Sequence, residues 1–510
     1  MVAVSAVRLG SDLLLSSARL RGTRVGVVCN HASVDRGFDH IVDRLAGADG
    51  VTLGAIFGPQ HGFRSDVQDN MVETPHGDDA SRRVPVYSLY SDTREPTAEM
   101  LRGLDALVID LQDIGARIYT YIYTMANCLR ACAKHGVTAI VCDRPNPIGG
   151  VAVEGALLVQ GFESFVGQFP IPMRHGMTIG ELAGLFNENF GIGARLEVIP
   201  MEGWRRDMYA DDTALPWVMP SPNMPTLETA VVYPGTVLFE GTMLSEGRGT
   251  TRPFELVGAP WIDAERFAAA MNALDLPGVF FRPAGFEPTF QKHAKQTCGG
   301  CQIHITDRHA FKPVLTGVAL IDMFRRQDPA KFAWRQPPYE YEHDKLPIDI
   351  LAGSGVLRKQ IEGGTPLKEI ASRWREEEEA FTRLRRPFLL YLIKGSDRQA
   401  STRPAGGRRV GAVPGGAPGP VRARAATPAP IGGRGRSAPG FMPRAEGGCN
   451  TSPSWQGRAI RGAPVGQCDR PAIPRGRFSR PRACGQGRRA GRRTFRSPPR
   501  KFSSRKDSRS

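Results

Sequence analysis

The chain is 510 residues long, enough for two or three domains with a large buried core, and its formal net charge is +16. That charge is unevenly placed: residues 396–510 hold 26 Lys and Arg against 4 Asp and Glu, which leaves 41 basic and 47 acidic residues in 1–395. The first 395 residues are therefore mildly acidic, which argues against nucleic acid or an anionic membrane surface as a partner of the folded part.

Apolar runs of strand length alternate with helix-like segments through the first 150 residues. Strands are predicted at 24–30, 51–57, 85–90, 105–111 and 138–143, and helical stretches at 39–45, 97–104 and 120–135. Strands that are apolar throughout, separated by helices, indicate a parallel sheet covered on both faces, a doubly wound α/β domain. Beyond Glu154 the rhythm loosens. A helix is predicted at 178–189, where Thr178 and Glu181 fit a capping box, followed by proline-broken segments to about Pro260. A helix at 263–274 and strands at 278–283 and 302–306 point to a smaller α+β unit. A last helix is predicted at 366–385, with Pro366 suited to the first helical position, Pro387 as the stop and Glu376 to Glu379 on a solvated face. After residue 395 the chain is rich in Arg, Pro and Gly and has no periodicity. It buries too little apolar surface to offset its ordering entropy, so a disordered tail is expected.

The first residues, MVAVSAVRLGSDLLLSS, carry no basic leader, sustained apolar run or clean cleavage site, so no signal peptide is expected. No stretch approaches the roughly 18 apolar residues of a membrane span. Cys29, Cys128, Cys132 and Cys142 lie in apolar segments of the kind that bury reduced thiols. A cytoplasmic protein is the expectation, with a periplasmic or extracellular one as the alternative.

In open parallel sheets, ligands bind beyond the carboxyl ends of the strands, and here those ends carry polar clusters. Asn30 and His31 follow the first strand, and Gln60 and His61 lie just after the second, in GPQHGFR. Asp110, Gln112, Asp113 and Arg117 follow the fourth, then Tyr119, Tyr121 and Tyr123; Asp143, Arg144 and Asn146 follow the fifth. One polar strand end is an ordinary cap or turn. Four on one edge make a polar, aromatic-lined site. Three later segments are also dense. PMRHGMT holds Arg174 and His175, PSPNMPT holds Asn223, and FEGTMLSEGRGTTRPFE holds Glu240, Glu246, Arg248, Arg252 and Glu255. Glycines there admit close backbone approach, and arginine grips a carboxylate in a bidentate fork. A surface loop of paired charges is the alternative for the last of them.

Cofactor signatures are missing. No G-x-G-x-x-G follows the first strand and no Walker-type loop occurs, so no nucleotide cofactor is expected. Cys298 and Cys301 have C-x-x-C spacing without a second pair, and the histidines stand singly, so no metal site is expected.

The blocks GVVCNHASVDR, FGPQHGFRSD, LQDIGARIYTYIYTM, CDRPNPIGG, PMRHGMTIGELA, PSPNMPT, YPGTVLFEGTMLSEGRGTTRPFELVGAPW and CGGCQIHITDR, in that order, resemble the exo-β-N-acetylmuramidase family. The resemblance runs over residues 4–394. It implies a Rossmann-like domain at 4–235 and a smaller C-terminal domain at 236–395 that completes a cleft. It implies a glycosidase that releases N-acetylmuramic acid from the non-reducing end of peptidoglycan fragments. The partner is then a muropeptide or amino-sugar substrate, no cofactor is called for, and the oligomeric state is left open. Tyr121 and Tyr123 would stack on sugar faces, while Asn30, His31, Asn146, His175 and Asn223 would bind hydroxyl and acetamido groups. One of Arg117, Arg174, Arg248 and Arg252 would bind the lactyl carboxylate. Glycoside hydrolysis ordinarily takes a general acid and a second carboxylate, and Asp113, Glu246 and Glu255 are the best-placed carboxylates. Members of the family commonly carry glutamate where this chain has Gln60, and glutamine neither gives nor takes a proton at neutral pH. His61 beside it is a further candidate for proton transfer. A muropeptide-binding protein that has lost catalysis, or a sugar-modifying enzyme on the same scaffold, are the competing classes.

The composition break makes the tail dispensable. A chain ended after Gly395 should unfold at the thermal midpoint of the full chain. Aggregation, or a midpoint lower by several degrees in calorimetry, would contradict this.

Overall fold

The structure, a computed structural model, describes residues 6–69 and 71–392; the tail expected to be disordered lies outside the described residues. The strands in chain order are β1 (Thr23–Cys29), β2 (Val51–Gly58), β3 (Gly77–Asp79), β4 (Val84–Ser88), β5 (Ala106–Asp110) and β6 (Thr138–Cys142). β7 (Glu154–Leu157) and β8 (Pro172–Arg174) form a separate antiparallel hairpin, and β9 (Leu196–Ile199) returns to the main sheet. The sheet has the order β3-β4-β2-β1-β5-β6-β9, parallel throughout except for β3 at its edge. Helices α1 (Gly10–Ser16) and α2 (Ile41–Ala46) cover one face, and α3 (Tyr121–His135) and α4 (Ile179–Gly184) the other. Alternation along β1 serves both: Val25, Val27 and Cys29 pack with Leu14 and Leu45, while Val28 joins the cluster around α3.

The five predicted strands are present to within two residues. The Thr178–Glu181 capping box is formed at the start of α4. The segment at 97–104 closes as turns instead of a helix, with Gly103 in the left-handed region at φ 73°. The chain runs outward from β1 through β2 to β4, then crosses back to β5, β6 and β9. The order reverses between β1 and β5, and a doubly wound sheet opens its crevice beyond the carboxyl ends at such a reversal.

A smaller domain stands over this edge. It comprises α5 (Leu227–Thr236), β10 (Leu256–Ala259), α6 (Ala264–Asn272), β11 (Val279–Phe286), β12 (Cys298–Ile305) and α7 (Pro313–Gln327), with the antiparallel order β10-β12-β11. α5 and α7 meet at Gly235 and Gly317. A Cβ on Gly235 would lie 1.9 Å from the Pro313 carbonyl oxygen, and one on Gly317 2.3 Å from that of Gly235. The helices touch backbone to backbone, which side chains at these positions would prevent.

α8 (Pro347–Ala352), α9 (Val356–Glu362) and α10 (Leu367–Arg385) complete the described chain. Pro366 caps α10 from outside, and a short 3₁₀ turn carries the helix past Pro387. The acidic run in α10 departs from the solvated face expected of it. Glu377 and Glu378 are half-buried and accept hydrogen bonds from the backbone N–H of Leu157 (2.7 Å) and Gly155 (2.9 Å) on β7. Only Glu376 and Glu379 face solvent. Two further residues tie the end of the described chain to the loop after β8 and to the main sheet. Arg385 donates to the carbonyls of His175 (3.0 Å) and Gly176 (2.6 Å). Tyr391 donates to Asp143 at the end of β6 (2.6 Å) and accepts from Met201 N–H (2.8 Å). Among the described residues no helix is long and apolar enough to cross a membrane.

Tyr391→Phe removes that donor and leaves the buried Met201 N–H without its acceptor. A cost of about 1–3 kcal/mol is expected, read as a lowered midpoint in thermal or urea unfolding. An unchanged midpoint would show that this contact does not hold the end of the chain.

Candidate active site

A narrow polar cleft lies at the edge marked by the strand reversal, between the turn after β2, the segment entering α3, and the smaller domain. The turn after β2 needs a tight reversal. His61 (φ 71°) and Gly62 (φ 83°) both adopt left-handed backbone, and a Cβ on Gly58 would meet Phe63 N at 2.6 Å. Gln60 is thereby turned into the cleft. Its carbonyl oxygen accepts from Thr120 Oγ1 (2.9 Å), so its amide nitrogen points the other way, toward Glu340 Oε1 (3.3 Å). His61 Nδ1 donates to the Val67 carbonyl (2.8 Å). Burial first, and then the Arg248 charge, pull its pKa down to about 4, so the ring is neutral near pH 7.

The segment after β5 supplies an aromatic wall. Tyr121 and Tyr119 meet edge to face with centroids 4.8 Å apart, Tyr119 meets Tyr233 of α5 at 5.9 Å, and Tyr233 meets Phe254 at 4.8 Å. The Pro220 carbonyl gathers Tyr121 Oη (2.7 Å), Asn30 Nδ2 (3.3 Å) and Ser65 Oγ (3.4 Å), which sets the loop that presents Ser221 and Asn223 to the cleft.

The smaller domain contributes the charges. Glu240 accepts from Arg248 Nη2 and from Tyr339 Oη, both at 2.7 Å. Burial alone would raise its carboxyl, but the Arg248 charge and these bonds bring it below its ordinary value. Glu340 accepts from Tyr90 Oη (2.9 Å) as well as from Gln60. Among the described residues no cation is bonded to it. Burial, reinforced by the Glu240 charge, pushes it up to about 7 against the lowering effects of Tyr90, Gln60 and Arg94. Glu340 (φ 46°) and Tyr341 (φ 69°) both hold left-handed backbone, a strain that side chains other than glycine rarely accept.

Of the positions expected from the sequence, Gln60, His61, Tyr119, Tyr121, Asn223, Glu240 and Arg248 line the cleft. The others lie elsewhere. Asn30 is buried behind the Pro220 carbonyl, and His31 is on the surface. Asp113 accepts from Gly115 N (2.7 Å) and lies 3.5 Å from His175 Nε2, with both side chains buried. Glu246 pairs with Lys292 (2.5 Å), and Glu255 accepts from Thr229 Oγ1 (2.7 Å) and pairs with Arg252 (3.3 Å), whose side chain is half exposed. Arg117 and Arg174 donate to backbone carbonyls, Arg174 to Ile148 O at 2.6 Å. Asn146 binds Met177 O (2.9 Å), and Tyr123 is in the core. Tyr90, Tyr339 and Glu340 were not picked out beforehand. Tyr90 follows the end of β4 on the same sheet edge, so the strand-end rule reaches it, but nothing comparable marks Glu340. Among the described residues no group of three His, Cys, Asp or Glu side chains could hold a metal.

Residues 25–228 match the N-terminal domain, and residues 231–391 the C-terminal domain, of the exo-beta-N-acetylmuramidase NamZ. The chain belongs to the NamZ family. The peptidoglycan beta-N-acetylmuramidase NamZ of Bacillus subtilis (strain 168) is 46% identical over 387 residues, which is 76% of this chain and 91% of that one. Two crystal structures of DUF1343 family proteins from Bacteroides fragilis NCTC 9343 share the fold of this NamZ family chain. One has a TM-score of 0.69 at 35% identity, covering 76% of this chain and 99% of its own. The other has 0.59 at 29%, covering 76% and 100%.

The raised Glu340 has a consequence for stability. Its unfolded-state pKa is about 4.3, below the folded value of about 7. Between those values the folded state binds the extra proton, so this group's contribution falls as pH rises. Glu340→Gln lacks that loss. Its thermal midpoint, taken relative to the native chain, should rise from pH 5 to 7 and level off above. A flat difference across that range would refute the raised pKa.

Proposed function

We propose that this chain is a glycoside hydrolase that releases N-acetylmuramic acid from the non-reducing end of peptidoglycan fragments. The observation that carries this is a single cleft combining an aromatic wall, amide and hydroxyl groups, and a buried arginine. Those are the elements an N-acetylated sugar ether-linked to a lactyl acid requires. The 46% identity to a peptidoglycan beta-N-acetylmuramidase supports the same reading.

In this reading Tyr119, Tyr121 and Tyr233 pack on the sugar, and Asn223, Ser221 and Thr120 bind hydroxyl and acetamido groups. His61, neutral near pH 7, takes part as a hydrogen-bond partner. Of the four arginines considered, Arg248 borders the cleft, and it takes the lactyl carboxylate. Glu246 supports it from behind, 3.5 Å from Arg248 Nε, while Asp113 and Glu255 hold the surrounding loops. The first part of the chain, to about residue 235, brings Gln60 and the tyrosine wall; the remainder brings Glu240, Arg248 and Glu340. The free, buried thiols of Cys29, Cys128, Cys132, Cys142, Cys298 and Cys301 favour a reducing, cytoplasmic compartment.

N-acetylglucosamine glycosides lack the lactyl acid and should be poor substrates. A charge-assisted bond of about 1.5–3 kcal/mol corresponds to roughly ten- to a hundredfold in kcat/KM. Arg248→Lys should narrow the discrimination between matched chromogenic glycosides of the two sugars. Equal turnover of both by the native chain would remove the carboxylate contact. Tight binding of muropeptide with no turnover would favour the binding-protein reading, for which Gln60 is the motive.

A further inference from the structure

Two carboxyl groups line the cleft, and their surroundings differ in kind. Glu240 is bonded to a guanidinium and a phenol. Glu340 is bonded to a phenol and to the amide of Gln60, the position where the family resemblance implies a glutamate. Because Thr120 fixes the Gln60 carbonyl, a carboxylate at position 60 would face Glu340 at hydrogen-bond distance. Two such groups share a proton. With glutamine at position 60, Glu340 is the group left to carry it.

We propose that Glu340 is the general acid of this site, and that the glutamine at position 60 serves to position it. This rests on the muramidase reading above. As the bond between C1 of N-acetylmuramic acid and the bridging oxygen breaks, its electron pair goes to that oxygen. The oxygen takes the Glu340 proton and leaves as the hydroxyl of the next residue. Water adds its oxygen to C1, and the proton it sheds returns to the Glu340 carboxylate. No further reactant is needed. Glu240, kept ionised, lies in the same cleft to offset positive charge developing at C1. The titratable and charged groups around Glu340 are Tyr90 and Arg94 from the segment after β4, Glu240, Tyr233 of α5, and the adjoining Tyr339 and Tyr341. Its pKa of about 7 leaves a substantial protonated fraction at neutral pH.

The test compares two substrates in the full chain and in Glu340→Gln. The disaccharide of N-acetylmuramic acid and N-acetylglucosamine needs its leaving oxygen protonated; a 2,4-dinitrophenyl glycoside of N-acetylmuramic acid does not. The variant should lose on the order of 10²–10⁴-fold in kcat/KM on the disaccharide while staying within about tenfold of the native chain on the aryl glycoside. Its alkaline limb near pH 7 should vanish. Equal losses on both substrates, or a limb that persists, would overturn the assignment, as would full activity on the disaccharide. If the native chain hydrolyses neither substrate, the muramidase reading falls and takes this assignment with it. Tyr90→Phe guards against a folding defect in the first variant. It removes a donor to the ionised carboxyl and should move the alkaline limb to higher pH; an unmoved limb, or one moved lower, counts against Glu340.

Discussion

The geometry of the cleft depends on the burial of Arg117. Its guanidinium has no solvent exposure and donates to the carbonyls of Ala156 (2.8 Å), Ile171 (2.9 Å) and Leu351 (2.9 Å). Burial lowers its pKa to about 10, so it remains charged at neutral pH. A buried charge is tolerated only where polar partners replace water, and these come from the β7–β8 hairpin and from α8. The arginine sits two residues before Tyr119, and α8 begins seven residues after Glu340. Displacing either the tyrosine wall or the segment carrying Glu340 would strip partners from the same cation.

A second buried cluster sets the electrical character of the cleft. Glu240 and Glu246 face Arg248 and Lys292, two anions against two cations. Breaking such a set by removing one member leaves an uncompensated buried charge, which is strongly destabilising. Within it the Arg248 charge holds the Glu240 carboxyl below its ordinary value. Among the described residues Glu340 has hydrogen-bonding neighbours and no bonded cation, and the different environments push the two cleft carboxyl groups apart in acidity. This is the condition under which one carboxyl can act as an acid while another stays charged.

The sequence made the main sheet readable because its strands are buried on both faces and appear as unbroken apolar runs. The cap of α4 was readable because Thr178 and Glu181 stand at the required spacing. The sheet edge led to Gln60, His61 and Tyr121 for the same reason, since strand ends in a parallel sheet share one side. Carboxylates were harder to place. Asp113, Glu246 and Glu255 sit in dense polar segments, but composition does not say whether a carboxylate meets a cavity or a lysine behind its wall. Arginines raise the same difficulty: Arg117 and Arg174 spend their donors on backbone carbonyls, contacts that no local pattern announces. Glu340 is 280 residues from Gln60 and lies in an irregular stretch between α7 and α8. Only tertiary packing brings the two together.

The glutamates of α10 that bind β7 affect how the molecule meets its neighbours. A strand at the rim of a sheet presents unpaired N–H groups on which another chain can add a strand of its own. On β7 the outward N–H groups of Gly155 and Leu157 are already occupied by Glu378 and Glu377. An incoming strand would have to displace two carboxylates and set its own carbonyls beside negative charge. The acidic run thus blocks edge-to-edge association at this hairpin.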